Sequence, residues 1–147
     1  MFGYKYSANL RVMTRPEDKQ IVTATVQAFC RVVGMCEASV KDVEMSVAEA
    51  FDNCMYWAYP DSPGKVDIMM VQRKTEDCIY ICIYDDGCPI ENVDEAMRPG
   101  YTTGKKSQHS GMGFAIMETY MNEIKIDSPR SLIHKKGTVI TMRKVIK

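Results

Sequence analysis

The interval at which apolar residues return changes along this chain, and each change marks an element. From Phe2 to Val12 the pattern alternates, with Tyr4, Tyr6, Ala8, Leu10 and Val12 on one side, which predicts a half-buried strand. Thr14, Arg15, Pro16 and Glu17 then read as a helix start, with Thr14 as N-cap, a proline early in the first turn and an acid suited to the helix dipole. Ile21, Val22, Ala24, Thr25, Ala28, Phe29 and Val32 recur at helical spacing, and Gly34 is a natural stop. Ser39 with Asp42 three residues on resembles a capping box and predicts a second helix. That helix should run to about Tyr59, where Pro60, Asp61, Ser62, Pro63 and Gly64 break it.

This second helix has two distinct faces. Val43, Val47, Ala50, Phe51, Cys54, Met55 and Ala58 form the apolar one, while Asp42, Ser46, Glu49, Asn53 and Tyr56 repeat at helical spacing as a polar stripe. Two strands follow, 65–73 and 78–84, joined by the turn-like Lys74, Thr75, Glu76 and Asp77, and should pair as a hairpin. Asn92 to Met97 predicts a short helix. Gly100 to His109 has the composition of a flexible loop, and Gly113 to Met121 reads as a helix through Phe114, Ile116, Met117 and Tyr120. Strands at 123–128 and 138–145, linked by the basic turn Arg130 to Lys136, close the pattern. The expected architecture is an α/β (α+β) two-layer sandwich in one domain spanning 1–147. Helices cover one face of a mixed, mostly antiparallel sheet.

Composition narrows the functional classes. The chain has 147 residues, enough for one core, and Lys+Arg and Asp+Glu are 19 each, so no net field favours a polyanion. No basic stripe interleaved with aromatics suggests nucleic acid. No apolar run reaches the length of about 18 residues that a membrane span needs, and the first residues lack the grammar of a secretory signal, which predicts a cytoplasmic protein. The six cysteines, Cys30, Cys36, Cys54, Cys78, Cys82 and Cys88, fall mostly in apolar patterns and read as buried thiols. Cys82, Cys88 and His109 lack the paired spacing of a zinc site.

Three short segments carry the chemistry. Glu49 and Asn53 lie one helical turn apart, so a carboxylate and an amide oxygen can converge on one point. The amide suits a hard Mg2+, and the carboxylate can take a proton from an attacking hydroxyl. Asp85 ends the apolar run Cys78 to Tyr84 with Gly87 close behind; such an acid can accept the exocyclic amine of adenine where a glycine lets a purine approach the backbone. Ser110-Gly111-Met112-Gly113 places two glycines immediately before a helix, where exposed N–H groups and the positive dipole end attract phosphate. Gly100 to Ser107 superficially resembles a P-loop, but its glycine spacing is one residue short and Lys105-Lys106 replaces Lys-Ser/Thr, so it reads as a lid instead.

The order of these segments resembles the GHKL ATPase superfamily, and their wording is similar to one branch, the bacterial anti-sigma factors with serine protein kinase activity. The resemblance covers essentially the whole chain and is most specific in 47–53, in Tyr101-Thr102-Thr103, in 110–118 and in Ile126-Asp127-Ser128, with Gly137-Thr138 matching the last-strand pair. It implies Glu49 as general base, Asn53 as the Mg2+ ligand, Asp85 as the adenine acceptor with Thr138 and Gly87 in support, and Thr103, Lys105, His109, Ser110, Gly111, Met112 and Gly113 along the lid and phosphates. It further implies ATP/ADP and Mg2+ as cofactors, a sigma factor and an anti-anti-sigma (STAS-type) protein as partners, and a homodimer. Pro89 departs from the family's second glycine in the adenine box, and His109 stands where the lid often has an arginine. An alternative is therefore a nucleotide-binding regulatory protein without kinase turnover. A two-component histidine kinase needs a phosphoacceptor histidine on a preceding helix, whereas the histidines here are His109 and His134, both late.

Overall fold

The computed structural model describes residues 3–98 and 113–147. Its strands are β1 (Tyr4–Met13), β2 (Lys65–Arg73), β3 (Cys78–Asp85), β4 (Glu123–Asp127) and β5 (Thr138–Val145). Its helices are α1 (Asp18–Val32), α2 (Glu37–Asn53), α3 (Val93–Ala96) and α4 (Gly113–Tyr120), and a π-helical turn, Cys54–Ala58, extends α2. The sheet runs β1-β2-β3-β5-β4 and every pairing is antiparallel. The expected two-layer arrangement is present, with an entirely antiparallel sheet where a mixed one was allowed.

Register explains the core. Leu10 pairs with Ile68, Ile68 with Ile83, Ile83 with Ile140 and Ile140 with Ile126, so one apolar row crosses all five strands. Ala8, Met70, Ile81, Met142 and Ile124 form the next row by the same pairings. These rows lie beneath the buried residues of α1, α2 and α4, chiefly Val22, Val26, Val43, Val47, Phe51, Phe114 and Met117. Helix α1 packs on α2, and α2 on α4. Because side chains alternate along each strand, the same register sends Arg11, Asp67 and Tyr84 to the opposite face. There Arg11 forks onto Asp67 at 2.6 and 3.3 Å.

Both expected N-caps are replaced. Helix α1 begins at Asp18, four residues after Thr14, because Thr14 is committed elsewhere: its N–H donates to Gly64 O, and its hydroxyl accepts from Gly64 N, both at 2.9 Å. Arg15 holds Asp18 at 2.7 Å in the resulting turn. Helix α2 begins at Glu37 behind Cys36, and Ser39 lies inside it, buried against the Cys36 thiol instead of capping. The stop of α1 is as expected. Gly34 adopts φ +97°, while Gly34 N–H reaches Arg31 O and Met35 N–H reaches Cys30 O, a Schellman closure that seats Met35 in the core. Asn92 Oδ1 caps α3 through Glu95 N at 3.0 Å. Of the cysteines, Cys30, Cys54, Cys78 and Cys82 are buried, but Cys36 and Cys88 are exposed, since both sit where the chain turns between elements.

Candidate nucleotide site

The polar stripe of α2 is not a solvated face. Ser46 and Asn53 are buried, because the stripe packs toward α4 and the end of β5. Lys144 of β5 reaches Asp42 at 3.2 Å and Tyr120 O at 2.6 Å, tying the lower part of the stripe to both neighbours. The upper part meets the start of α4. A methyl group added to Gly113 would stand 3.2 Å from Asn53 Oδ1 and 3.3 Å from Glu49 Oε2, so the glycine leaves these two side chains room at the helix N-terminus.

Asn53 is the unusual member of the set. Only 5% of it is exposed, and among the described residues neither Nδ2 nor Oδ1 has a hydrogen-bond partner. A buried amide left unsatisfied costs about 1–3 kcal/mol, which a protein tolerates where a ligand restores the bonds. An oxygen donor beside the N-terminus of a helix, one turn from a carboxylate, fits the donor chemistry of a hard cation.

Immediately after Asn53 the helix widens into the π-turn, with Tyr59 N–H reaching back to Cys54 O at 3.0 Å. Such one-turn widenings concentrate at functional sites. This one brings Ala58 O to Cys88 N–H at 2.9 Å and presses Ala58 onto Gly87. Gly87, expected as a place for a purine to approach, has a further reason to be glycine, since a methyl group there would collide with Ala58 O. Tyr59 completes the clamp, its hydroxyl donating to Lys65 O at 2.8 Å and accepting from Asp86 N–H at 2.7 Å.

Asp85 is 4% exposed and pairs across the sheet with Thr138, also 4% exposed. Both are in phase with the buried row of their strands, so a carboxyl and a hydroxyl replace apolar side chains at one end of the core. Asp85 accepts from Gly87 N–H at 3.0 Å and from the buried Cys54 thiol at 3.7 Å. Burial pushes its carboxyl up to about 6, against the pull of the Gly87 amide, the Cys54 thiol and the Thr138 amide. Burial, with the Asp85 charge beside it, also pushes the Cys54 thiol well above its ordinary range and keeps it a neutral donor. Thr138 Oγ1 shares a 2.8 Å bond with Ser128 Oγ, which in turn accepts from Ile90 N–H at 2.7 Å.

Asn53, Asp85 and Thr138 line one cavity with Cys54, Trp57, Ala58, Cys88, Ile90, Phe114 and Ile140. Its composition, an acid and a hydroxyl at the base of apolar walls, suits a purine. Trp57 and Phe114 lean together with ring centres 5.6 Å apart. The free space is about 10 Å³, room for about one water, so these walls must part to admit a base.

Of the residues singled out in the sequence, the structure brings together Glu49, Asn53 and Gly113 at one end of the cleft and Asp85, Gly87 and Thr138 at the other. Thr103, Lys105, His109, Ser110, Gly111 and Met112 lie outside the described residues. Cys54, Ser128, Trp57 and Phe114 join the site without having been assigned to it. Cys54 looked like one more apolar residue on α2, and no local signal marks a thiol that meets an acid 31 residues away.

With this geometry, the kinship is unambiguous. The chain belongs to the histidine kinase-like ATPase domain family, whose pattern matches residues 12–144. Its relatives include the anti-sigma F factor of Clostridium acetobutylicum, 34% identical over 135 residues, covering 92% of this chain and 90% of that protein. The anti-sigma F factor of Caldanaerobacter subterraneus subsp. tengcongensis is 29% identical over 143 residues, covering 97% and 96%. Among solved structures, the mycobacterial sensor histidine kinase MprB superposes with a TM-score of 0.59 at 15% identity, over 95% of this chain and 99% of that one, a likeness of fold. The catalytic domain of histidine kinase ThkA gives 0.57 at 13% identity, over 96% of each chain.

Proposed function

We propose that this protein is an ATP-binding anti-sigma factor that holds a sigma factor inactive as a homodimer and phosphorylates a serine of an anti-anti-sigma protein, using Mg-ATP. The observation that carries the reading is Asn53, a buried amide with neither polar atom satisfied among the described residues, beside Gly113 and one turn from Glu49. Membership of the ATPase family and similarity along nearly the whole length to anti-sigma F factors support it. A cytoplasmic location is part of the same proposal; among the described residues no helix is long and apolar enough to cross a membrane.

In this reading Asp85 accepts the adenine amine, with Thr138 and Ser128 fixing the polar floor beneath it. Asn53 would hold Mg2+ through Oδ1, and the ion would supply positive charge to neutralise the phosphates. Glu49 takes the proton from the incoming serine hydroxyl as that oxygen attacks the terminal phosphorus, and the bond to the nucleoside diphosphate breaks. Calorimetric titration with ATP, with and without Mg2+, tests the binding step. Incubation with Mg-ATP and the cognate anti-anti-sigma protein, read as phosphoserine, tests transfer. ATP binding without phosphoserine would leave a nucleotide-binding regulator, and no ATP binding would remove the proposal altogether.

A further inference from the structure

The most exposed large apolar side chains in the described structure have no part in the site above. They are Leu132, 80% exposed, and Ile133, 88% exposed, adjacent at the tip of the β4–β5 hairpin. The tip is an ordered turn: Ser131 and Lys136 exchange backbone bonds of 3.1 and 3.3 Å, Ser131 Oγ accepts from His134 N–H at 3.2 Å, and Lys135 takes φ 52°. Beside Leu132 lies a hollow of about 550 Å³, walled by Val93, Ile126, Pro129 and Val139. Arg130, its basic neighbour, is already occupied, leaning toward Asp86 at 3.8 Å and over the Tyr84 ring at 5.2 Å. Among the described residues, no carboxylate lies within ion-pairing distance of Lys135 or Lys136.

The hairpin's base is fastened to the adenine end of the cleft. Gly137 N–H donates to Gly87 O at 2.8 Å, Arg130 N–H donates to Gly137 O at 2.9 Å, and Ser128 bridges Thr138 and Ile90. Gly137 lies so close to Asp85 O that an added methyl would stand 2.6 Å away. The tip is therefore a fixed projection beside the cleft and not a loose loop.

We infer that this tip is a docking element for the protein that receives the phosphate: Leu132 and Ile133 enter an apolar hollow on that partner, and carboxylates around the hollow face Lys135 and Lys136. The inference rests on the kinase reading, because a protein offering its serine to Glu49 at one end of the cleft would lie over it, and the hairpin is a projection anchored at the other end, beside Gly87 and Asp85. Two aliphatic anchors ringed by unpaired cations are the pattern of an apolar hot spot with a charged rim.

The test is steady-state phosphorylation of the anti-anti-sigma protein by Leu132→Ser/Ile133→Ser and, separately, by Lys135→Glu/Lys136→Glu. Both pairs are exposed, so folding should survive. The first pair is expected to raise KM for the protein substrate about tenfold or more, the scale of a lost hot spot, with kcat, ATP affinity and sigma-factor affinity unchanged. The second should raise KM by an amount that shrinks with added salt. An unchanged KM overturns the inference. So does an equal loss of sigma-factor binding, and so does wild-type binding to phosphatidylglycerol vesicles that the serine pair abolishes, which would assign the tip to a lipid surface. If the wild type transfers no phosphate, the kinase reading fails separately. Fluorescence anisotropy of the labelled partner with the ADP-loaded protein then reads the tip alone: weaker binding of the serine pair supports docking, and equal binding overturns it.

Discussion

The two ends of the cleft are built on opposite principles. At the end proposed to hold adenine, three polar side chains have protein partners: Asp85 has Gly87 and Cys54, Thr138 has Ser128, and Ser128 has Ile90. At the end proposed to hold the phosphates, Asn53 is buried with no partner among the described residues. The first is a finished network that holds its shape before a ligand arrives; the second stores an unfavourable desolvation that a ligand can relieve. In the proposed function, one end would supply specificity through rigidity, and the other would supply affinity through the bonds a ligand adds.

The largest expected effect falls at the phosphate end. Glu49→Gln should leave ATP affinity near wild type while lowering phosphotransfer about 100- to 10,000-fold, the range for a lost general base. Unchanged single-turnover rates would remove Glu49 from that role. At the adenine end, Asp85→Asn should weaken ATP by about 1.5–3 kcal/mol, the value of a hydrogen bond to a charged group. Calorimetry measures this directly, and equal affinity of the parent protein for ATP and GTP would show that Asp85 does not read the base.

A third difference concerns pH. The ligand-free Asp85 carboxyl titrates near 6, above the usual carboxylate range, so the folded protein keeps a proton that the unfolded chain has released between about pH 4 and 6. This group's contribution to stability accordingly falls as pH rises across that window and is level above it. With Asp85 as the proposed acceptor of the adenine amine, ATP affinity should be flat from pH 7 to 8 and about tenfold weaker at pH 5, the ratio expected one unit below the titration point. An affinity constant across this range would place the acceptor elsewhere.

The smallest effect sharpens the contrast most. Asn53→Ala removes an amide that the described residues leave unsatisfied, so the thermal midpoint should hold or rise even as Mg-dependent ATP binding is lost. A loss of more than about 1 kcal/mol in the ligand-free protein would mean that Asn53 is structurally bonded after all.

Much of the framework was legible in the chain because it depends on local periodicity. The alternation in β1, the apolar run of β3, the helical spacing in α1 and α2, the glycine closing α1 and the asparagine opening α3 each express a constraint acting over a few residues. One sequence signal was stronger than the use made of it. Asp85 is in step with Ile79, Ile81 and Ile83, and Thr138 with Ile140 and Met142, so both had to face the core wherever those isoleucines and methionines did. A polar residue in phase with a buried row is a better mark of a site than its position at a strand end.

The caps failed for a related reason. Thr14 and Ser39 have the right chemistry to cap a helix, but each found a partner that the local rule does not see: Gly64, 50 residues away, for Thr14, and the Cys36 thiol for Ser39. In the same way, the polar stripe on α2 gave no local hint of whether water or another helix would cover it.

Spacing along the chain was therefore sufficient to place Glu49 and Asn53 on one helical face and Asp85 at the end of an apolar strand, because bond geometry alone sets those relations. Tertiary structure decided what surrounds them: that α4 and β5 bury the stripe, that Asn53 is left without a partner, that the π-turn forces Gly87 to be a glycine, and that burial lifts the Asp85 carboxyl. Desolvation and close approach depend on residues far apart in sequence, and they come into being only when the layers pack.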